Sequence, residues 1–326
     1  MFEKKQVPFA KKVKDEIASI DYTTEQKRWI LSGFARNGGS FSIGKSPSLS
    51  MRTEIANVAK LLYSALKDFY SLNPIIRYEK VKRFGRGLVY QVYVEDKRLY
   101  EVMEDLEIFQ DGLIRIPPKE GLHRRNLKYM IIGSFLANGS VNNPSSGKTS
   151  YFLEMAYSDR QDALAVRRKL DSFKEEKTMN FRYIKRRERH VLYLKRSDQI
   201  SVFLSYIGAM ESMFDFENAR IMKDDMNITN RLNICDSANY SKTLNTAKRD
   251  IALLNDLLKI KPLSLFDPKT KAVINARIQQ KDSNYRELAE YISEHEDIAI
   301  TKSGVVHILT DLREEAEALL AKQKPE

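Results

Sequence analysis

Leu31-Ser32-Gly33-Phe34-Ala35-Arg36-Asn37-Gly38-Gly39-Ser40 returns 100 residues later as Ile131-Ile132-Gly133-Ser134-Phe135-Leu136-Ala137-Asn138-Gly139-Ser140. Gly33 aligns with Gly133, Gly39 with Gly139 and Ser40 with Ser140. Each copy reads as the last turns of a helix: an apolar run, an internal Gly, then Gly-Ser where the chain turns out. A Gly just past the last helical residue is expected to take the left-handed C-terminal cap. A Gly inside a helix costs roughly 1 kcal/mol relative to Ala, so Gly33 and Gly133 mark a place where two backbones approach closely. The two helices are expected to pack on each other along this face and to relate two halves of one domain by a pseudo-twofold.

The 326 residues are 42% hydrophobic and 30% charged, an ordinary globular mix with ample core for two or three domains. A formal net charge of +11 favours an anionic partner, nucleic acid first and an acidic membrane surface second. The lone cysteine, Cys235, forms neither an internal disulfide nor a Cys-rich metal site and fits a reducing cytosol. His123, His190, His295 and His307 show no metal-ligand spacing, so no metal or cofactor is expected. No run approaches the roughly 18 apolar residues of a membrane span. The start, Met1-Phe2-Glu3-Lys4-Lys5, leads into charged sequence rather than an apolar signal core.

Along the chain, Val13, Ile17 and Ile20 mark one face of a basic first helix, and Thr23-Thr24-Glu25-Gln26 resembles a capping box. A hairpin is expected around Pro47, a helix over 53–69, strands over 75–80 and 88–94, and a helix over 99–108. The second unit repeats the order: helix 124–138, a loop rich in Asn, Pro, Ser and Gly, strand 151–156, helix 159–173, strands 181–185 and 191–194, helix 197–207. Residues 112–121, with Pro117-Pro118, join the halves. Residues 213–226 read as a connector with charged breaks, and the remainder as helices. The expected fold is α+β. A duplicated αββαββα domain covers residues 1–212, with repeats at about 22–110 and 122–210. The connector and an all-α domain over 227–326 follow.

The duplicated apolar-x-Gly…Gly-Ser pattern resembles the LAGLIDADG helices of homing endonucleases. In that family the residue before the final Gly is an acid on each helix, and the two acids hold the divalent metals that cut DNA. Here those positions are Gly38 and Asn138. Hard cations need anionic oxygens on both sides of a two-metal site. The resemblance therefore implies the endonuclease scaffold without its chemistry: not an enzyme. The competing reading is an active metal-dependent endonuclease whose acids come from elsewhere, Glu54 on the helix after the hairpin or Glu154 on a strand. Neither is expected at the ends of the central helices.

The C-terminal segment carries the second signal. Tyr285-Arg286-Glu287-Leu288-Ala289-Glu290-Tyr291-Ile292 looks like the first helix of a helix-turn-helix, with Ala289 at the crossing. Lys302 to Arg313 would be the recognition helix, burying Val305, Ile308, Leu309 and Leu312 at i, i+3, i+4 and i+7. Lys302, Ser303, Val306, His307 and Thr310 would then face outward. Short donors reach base edges, while Lys302 and Arg313 suit phosphates. The bland alternative is a two-helix corner with a polar face.

A two-repeat LAGLIDADG-like domain followed by a helix-turn-helix is similar to the WhiA regulators of Gram-positive-type bacteria. Local matches are Gly139-Ser140-Val141-Asn142-Asn143-Pro144, Asn230-Arg231-Leu232 with Cys235-Asp236-Ser237-Ala238-Asn239 and Lys242, and Lys302-Ser303-Gly304-Val305. Asn233-Ile234 departs from the family pattern. The resemblance implies a double-stranded-DNA-binding transcription regulator in the bacterial cytoplasm, associated with the nucleoid. It is tied to cell division, chromosome segregation and, in spore formers, sporulation. Two further sets of contacts are candidates. Arg186 and Arg187 sit in a basic hairpin with Tyr183 and Tyr193 interleaved, either touching phosphates or forming a solvated sheet face. Arg231 and Lys242 either contact the DNA backbone or cap and cover helices. Two domains also leave room for a second transcription factor docked on the first.

Overall fold

In a computed structural model, residues 7–81, 87–110, 113–114, 122–142, 150–174 and 176–322 are described. The chain divides into two compact units, Met1–Asp225 and Met226–Glu326. The first opens with α1 (Phe9–Ala18) and α2 (Thr24–Gly38). Thr23 caps α2 reciprocally: its side chain accepts from the Gln26 N–H, and the Gln26 side chain accepts from the Thr23 N–H. Then come β1 (Gly39–Ser42), β2 (Ser48–Thr53), α3 (Ala56–Tyr70), β3 (Ile75–Val81), β4 (Gly87–Glu95) and α4 (Leu99–Asp105). After a small ribbon, β5 (Phe109–Gln110) with β6 (Leu113–Ile114), the second half runs α5 (Arg124–Asn138), β7 (Gly139–Val141), β8 (Leu153–Tyr157), α6 (Arg160–Ser172), β9 (Arg182–Arg186), β10 (Arg189–Leu194) and α7 (Ser197–Ile207).

Each half folds a four-stranded antiparallel sheet of the same order, β1-β2-β4-β3 and β7-β8-β10-β9. The inner faces are the apolar rows Leu49, Met51, Val92, Val94 and Leu153, Met155, Leu192, Leu194, all buried in one core with the helices. The duplicated α+β architecture stands as expected. Three local expectations do not. Ile20 lies beyond the end of α1 and is 37% exposed. Glu54 sits in the bend before α3, because Thr53 still pairs with Tyr90 on the sheet. The stretch 213–226 is no break: α8 runs without interruption from Met210 to Ile260. That span contains neither Gly nor Pro, and its charges pair along the helix, as Arg220 does with Glu217 three residues back. The Glu16 carboxylate on α1 accepts from the N–H groups of Glu211 and Ser212, satisfying two orphan donors of the first turn. The turn at Gly85-Arg86, most of the Asn142–Lys148 loop and the Pro117-Pro118 joint lie outside the described residues.

In the second unit α8 packs with α9 (Pro268–Gln279), α10 (Tyr285–His295) and α11 (Lys302–Lys322) around Leu254, Leu257, Val273, Leu288, Ile292, Val305 and Leu309. Asp267 caps α9, and Asn284 with Glu287 forms a capping box on α10.

Candidate nucleic-acid interface

The paired helices α2 and α5 define the centre of the first unit. A Cβ on Gly33 would fall 1.9 Å from the carbonyl oxygen of Met130, and one on Gly133 would fall 2.0 Å from that of Ile30. The same contact is thus made twice, 30 against 133 and 130 against 33, which is the pseudo-twofold expected from the repeat. The caps differ from expectation. Gly39 (φ −81°, ψ 144°) and Gly139 (φ −78°, ψ 150°) are extended, not left-handed, because each leads directly into a strand. Space, not φ, excludes a side chain there: a Cβ would meet the Ala35 carbonyl at 2.4 Å, or the Phe135 ring at 2.2 Å.

At the helix ends the two positions of interest, Gly38 and Asn138, carry no acid. A Cβ on Gly38 would already touch that of Ala137 at 3.1 Å. The Asn138 amide nitrogen donates to the Asn37 carbonyl at 2.7 Å. A carboxylate at 138 could not make this bond, because it has no proton to donate. Asn37 crosses the seam in the other direction, donating to the Ser134 hydroxyl at 2.8 Å. This donor set holds no anion and does not fit a divalent-metal pair. Glu154 lies nearer than expected: on β8 it stands directly across from Ser140, two residues past Asn138. Its carboxylate pairs with Arg186 at 3.0 Å, and the corresponding place opposite Ser40 is Ser50. At this strand position the second half carries an acid and the first a serine. Among the described residues no group of three or more His, Cys, Asp or Glu is arranged to hold a metal.

The register divides the basic hairpin between two faces. Arg182, Ile184 and Arg186 of β9 share the outward side with Arg189, Val191 and Tyr193 of β10 and Glu154 and Ala156 of β8. Tyr183 falls on the inner side, where its hydroxyl hydrogen-bonds His190 Nδ1 at 2.7 Å, so the two tyrosines do not interleave on one surface. Arg186 reaches over the Phe152 ring at 5.7 Å, and Phe152 stacks on Tyr193. Arg187 occupies the tight turn in the left-handed region, φ 53°. Arg182, Arg186, Arg187 and Arg189 are exposed.

In the second unit, α11 starts where Thr301 caps it, its hydroxyl accepting from the Gly304 N–H at 3.2 Å. Val305, Leu309 and Leu312 are buried and Ile308 is partly so. Lys302, Ser303, Val306, His307 and Thr310 are exposed on the other side. His307 Nδ1 lies 2.8 Å from Asp311. Arg313 departs from this set. Its guanidinium donates to buried Asp250 at 2.7 and 2.9 Å and to the Tyr285 hydroxyl at 2.5 Å, tying α11 to α8 and α10. Its charge is committed inside the fold, 63 residues from its partner in sequence, which no local pattern reveals. Arg231 and Lys242 are both exposed on α8, and Lys242 borders a small hollow shared with Thr246, Arg277 and Tyr285. Sequence reasoning also missed the buried pair Arg36–Asp162, 3.2 Å apart.

Two helix-centred halves with twin sheets, followed by a helical unit that exposes the start of its last long helix, define a LAGLIDADG-like protein with a C-terminal helix-turn-helix. Residues 24–109 match the WhiA N-terminal LAGLIDADG-like domain, 127–226 the WhiA LAGLIDADG-like domain and 229–316 the WhiA C-terminal HTH domain. The "Probable cell division protein WhiA" of Exiguobacterium sibiricum is 33% identical over 316 residues, 95% of this chain and 96% of that protein. That of Lactobacillus acidophilus is 31% identical over 315 residues, 95% and 98% respectively. The chain belongs to the WhiA family. The full-length DUF199/WhiA crystal structure from "Thermatoga maritima" has the same fold, with a TM-score of 0.56 at 20% identity, covering 96% of this chain and 99% of that one.

Proposed function

We propose that this chain is a sequence-specific, non-enzymatic DNA-binding regulator of transcription. It acts in the bacterial cytoplasm on the nucleoid, in the service of cell division, chromosome segregation and, in spore formers, sporulation. The observation that carries the reading is the division of α11 into a buried apolar stripe and an exposed face. That face holds Lys302, Ser303, Val306, His307 and Thr310, with donors at the helix start where a recognition helix meets base edges. The net charge of +11 supplies long-range attraction to phosphates. The absence of catalysis is inferred from Gly38 and from the Asn138 amide spent on Asn37. The cell-division role is inferred from the names of the relatives. Among the described residues no helix is long and apolar enough to cross a membrane.

Arg182, Arg186, Arg187 and Arg189 on the second sheet, and Arg231 and Lys242 on α8, are proposed as phosphate contacts that position the chain without reading sequence. The first unit is proposed also to dock a second transcription factor. Selection of duplexes from a random pool by the full-length protein, followed by footprinting, tests the reading. One sequence should be enriched and protected, and Lys302→Glu should abolish protection. Enrichment of nothing, or a footprint indifferent to Lys302→Glu, overturns it.

A further inference from the structure

Val306 and Thr310 stand one turn apart on the exposed face of α11. The Thr310 hydroxyl donates to the Val306 carbonyl oxygen at 2.8 Å. That bond spends the one proton the side chain has to give and holds its oxygen against the helix. What Thr310 still presents to a partner is its methyl group and an oxygen that accepts but no longer donates. Val306, four residues earlier, is 37% exposed, whereas Val305, Leu309 and Leu312 of the same helix are buried. The middle of the helix's outer face is therefore a small cluster of methyl groups, flanked by exposed Ser303 and His307.

Beyond Thr310 the exposed face turns acidic, with Asp311, Glu314 and Glu317. Phosphates are repelled there, so close approach to a duplex is confined to the first turns, where the methyl cluster lies. The C5-methyl of thymine is the one apolar group that projects into the major groove from a base edge, where cytosine carries only a hydrogen. We infer that Val306 and Thr310 together recognise a thymine methyl, and that the DNA site of this protein places a thymine beneath this turn of α11. The inference rests on the proposed DNA-binding function and names the base chemistry that α11 selects.

The test uses a duplex enriched from a random pool by the full-length protein, remade with deoxyuridine for thymidine at one position at a time. Uracil pairs like thymine and lacks only the methyl. At one or two positions the wild type should bind about four-fold more weakly, the factor that burial of one methyl-sized apolar group is worth. Val306→Ala and Thr310→Ser, both on the exposed face, should bind the thymine and uracil duplexes equally at those positions. Thr310→Val, which keeps the methyl, should retain the difference. Equal binding of both duplexes by the wild type overturns the inference while leaving DNA binding intact. So does a methyl effect that persists undiminished in Val306→Ala and Thr310→Ser. Failure of the pool to enrich at all removes both the inference and the function beneath it.

Discussion

The two sheets of the first unit are built alike and dressed differently. Across the outer face of the first runs the row Ser40, Ser50, Tyr93, Ile75; across the second runs Ser140, Glu154, Tyr193, Arg182. The serine after each central helix and the tyrosine in mid-sheet are kept. The outermost strand changes from Ile75 to Arg182. β9 and β10 then add Arg186 and Arg189, while the first sheet sets Arg52 and Arg77 beside Glu79 and Glu95. Packing keeps the inner rows apolar in both halves, and the seam keeps Gly33 and Gly39 as Gly133 and Gly139. Solvent lets the outer rows differ in charge, and it is there that the two sheets are proposed to differ in their contact with DNA.

The same contrast exists inside the core. Arg36 and Asp162 form a buried ion pair. In the strand registers Met51 faces Gly39 as Met155 faces Gly139, which makes Leu136 and Val58 the corresponding positions, both buried and apolar. The largest expected effect breaks this asymmetry from one side. Asp162→Ala strands the Arg36 charge and should lower stability by about 3–5 kcal/mol in urea titrations. The double change Arg36→Leu with Asp162→Val, which copies the other half, should come within about 1 kcal/mol of the parent, since apolar replacement of a buried pair is often neutral. A double variant as damaged as the single would mean that the pair is needed to specify the packing.

The seam tests what the halves share. Gly33→Ala and Gly133→Ala each drive a methyl into a backbone carbonyl, and each should cost about 3 kcal/mol, at the upper end for overpacked sites. Equal losses sharpen the twofold; a cost confined to one glycine breaks it.

The outer faces differ in a quantity that salt reads. Each phosphate contact contributes about 0.9 to the slope of log affinity against log salt. Replacing Arg182, Arg186 and Arg189 by Ala should flatten that slope by about 2–3 units, given this value per contact. Arg52→Ala with Arg77→Ala on the first sheet should leave it nearly unchanged. Equal flattening by both sets would place DNA across both sheets.

The smallest effect concerns Lys14, on α1, whose ammonium lies 5.9 Å from the Phe135 ring centre. Burial pulls its pKa down from 10.5 to about 8, against a smaller opposing pull from Glu54. The folded state then disfavours the charged form. The penalty is full below about pH 8 and fades as pH rises towards the unfolded value of 10.5. Lys14→Met should therefore raise the melting temperature at pH 7 and lose that advantage by pH 11.

Much of this was legible in sequence because it is local or periodic. The bounds of α5, the Thr23 capping box, the alternating strands and the apolar stripe of α11 all follow from neighbours within a few residues. What escaped depends on distant partners. Arg313 looks like any surface cation until Asp250 is brought to it by a helix 63 residues away. Gly39 and Gly139 carry the composition of a left-handed cap, yet their φ is set by the strand that follows. The charges of residues 213–226 read as breaks, although nothing there stops a helix and Glu16 from α1 caps its start. The placement of Glu154 across from Ser140 depends on a strand register that crosses a loop.

The most direct measurement is a footprint of the full-length protein on its enriched duplex in the presence of manganese, read for protection and strand breaks together. The account predicts protected bases beneath α11, unbroken strands and loss of protection with Lys302→Glu. Scission of both strands that disappears in Glu154→Gln or Glu54→Gln would contradict it.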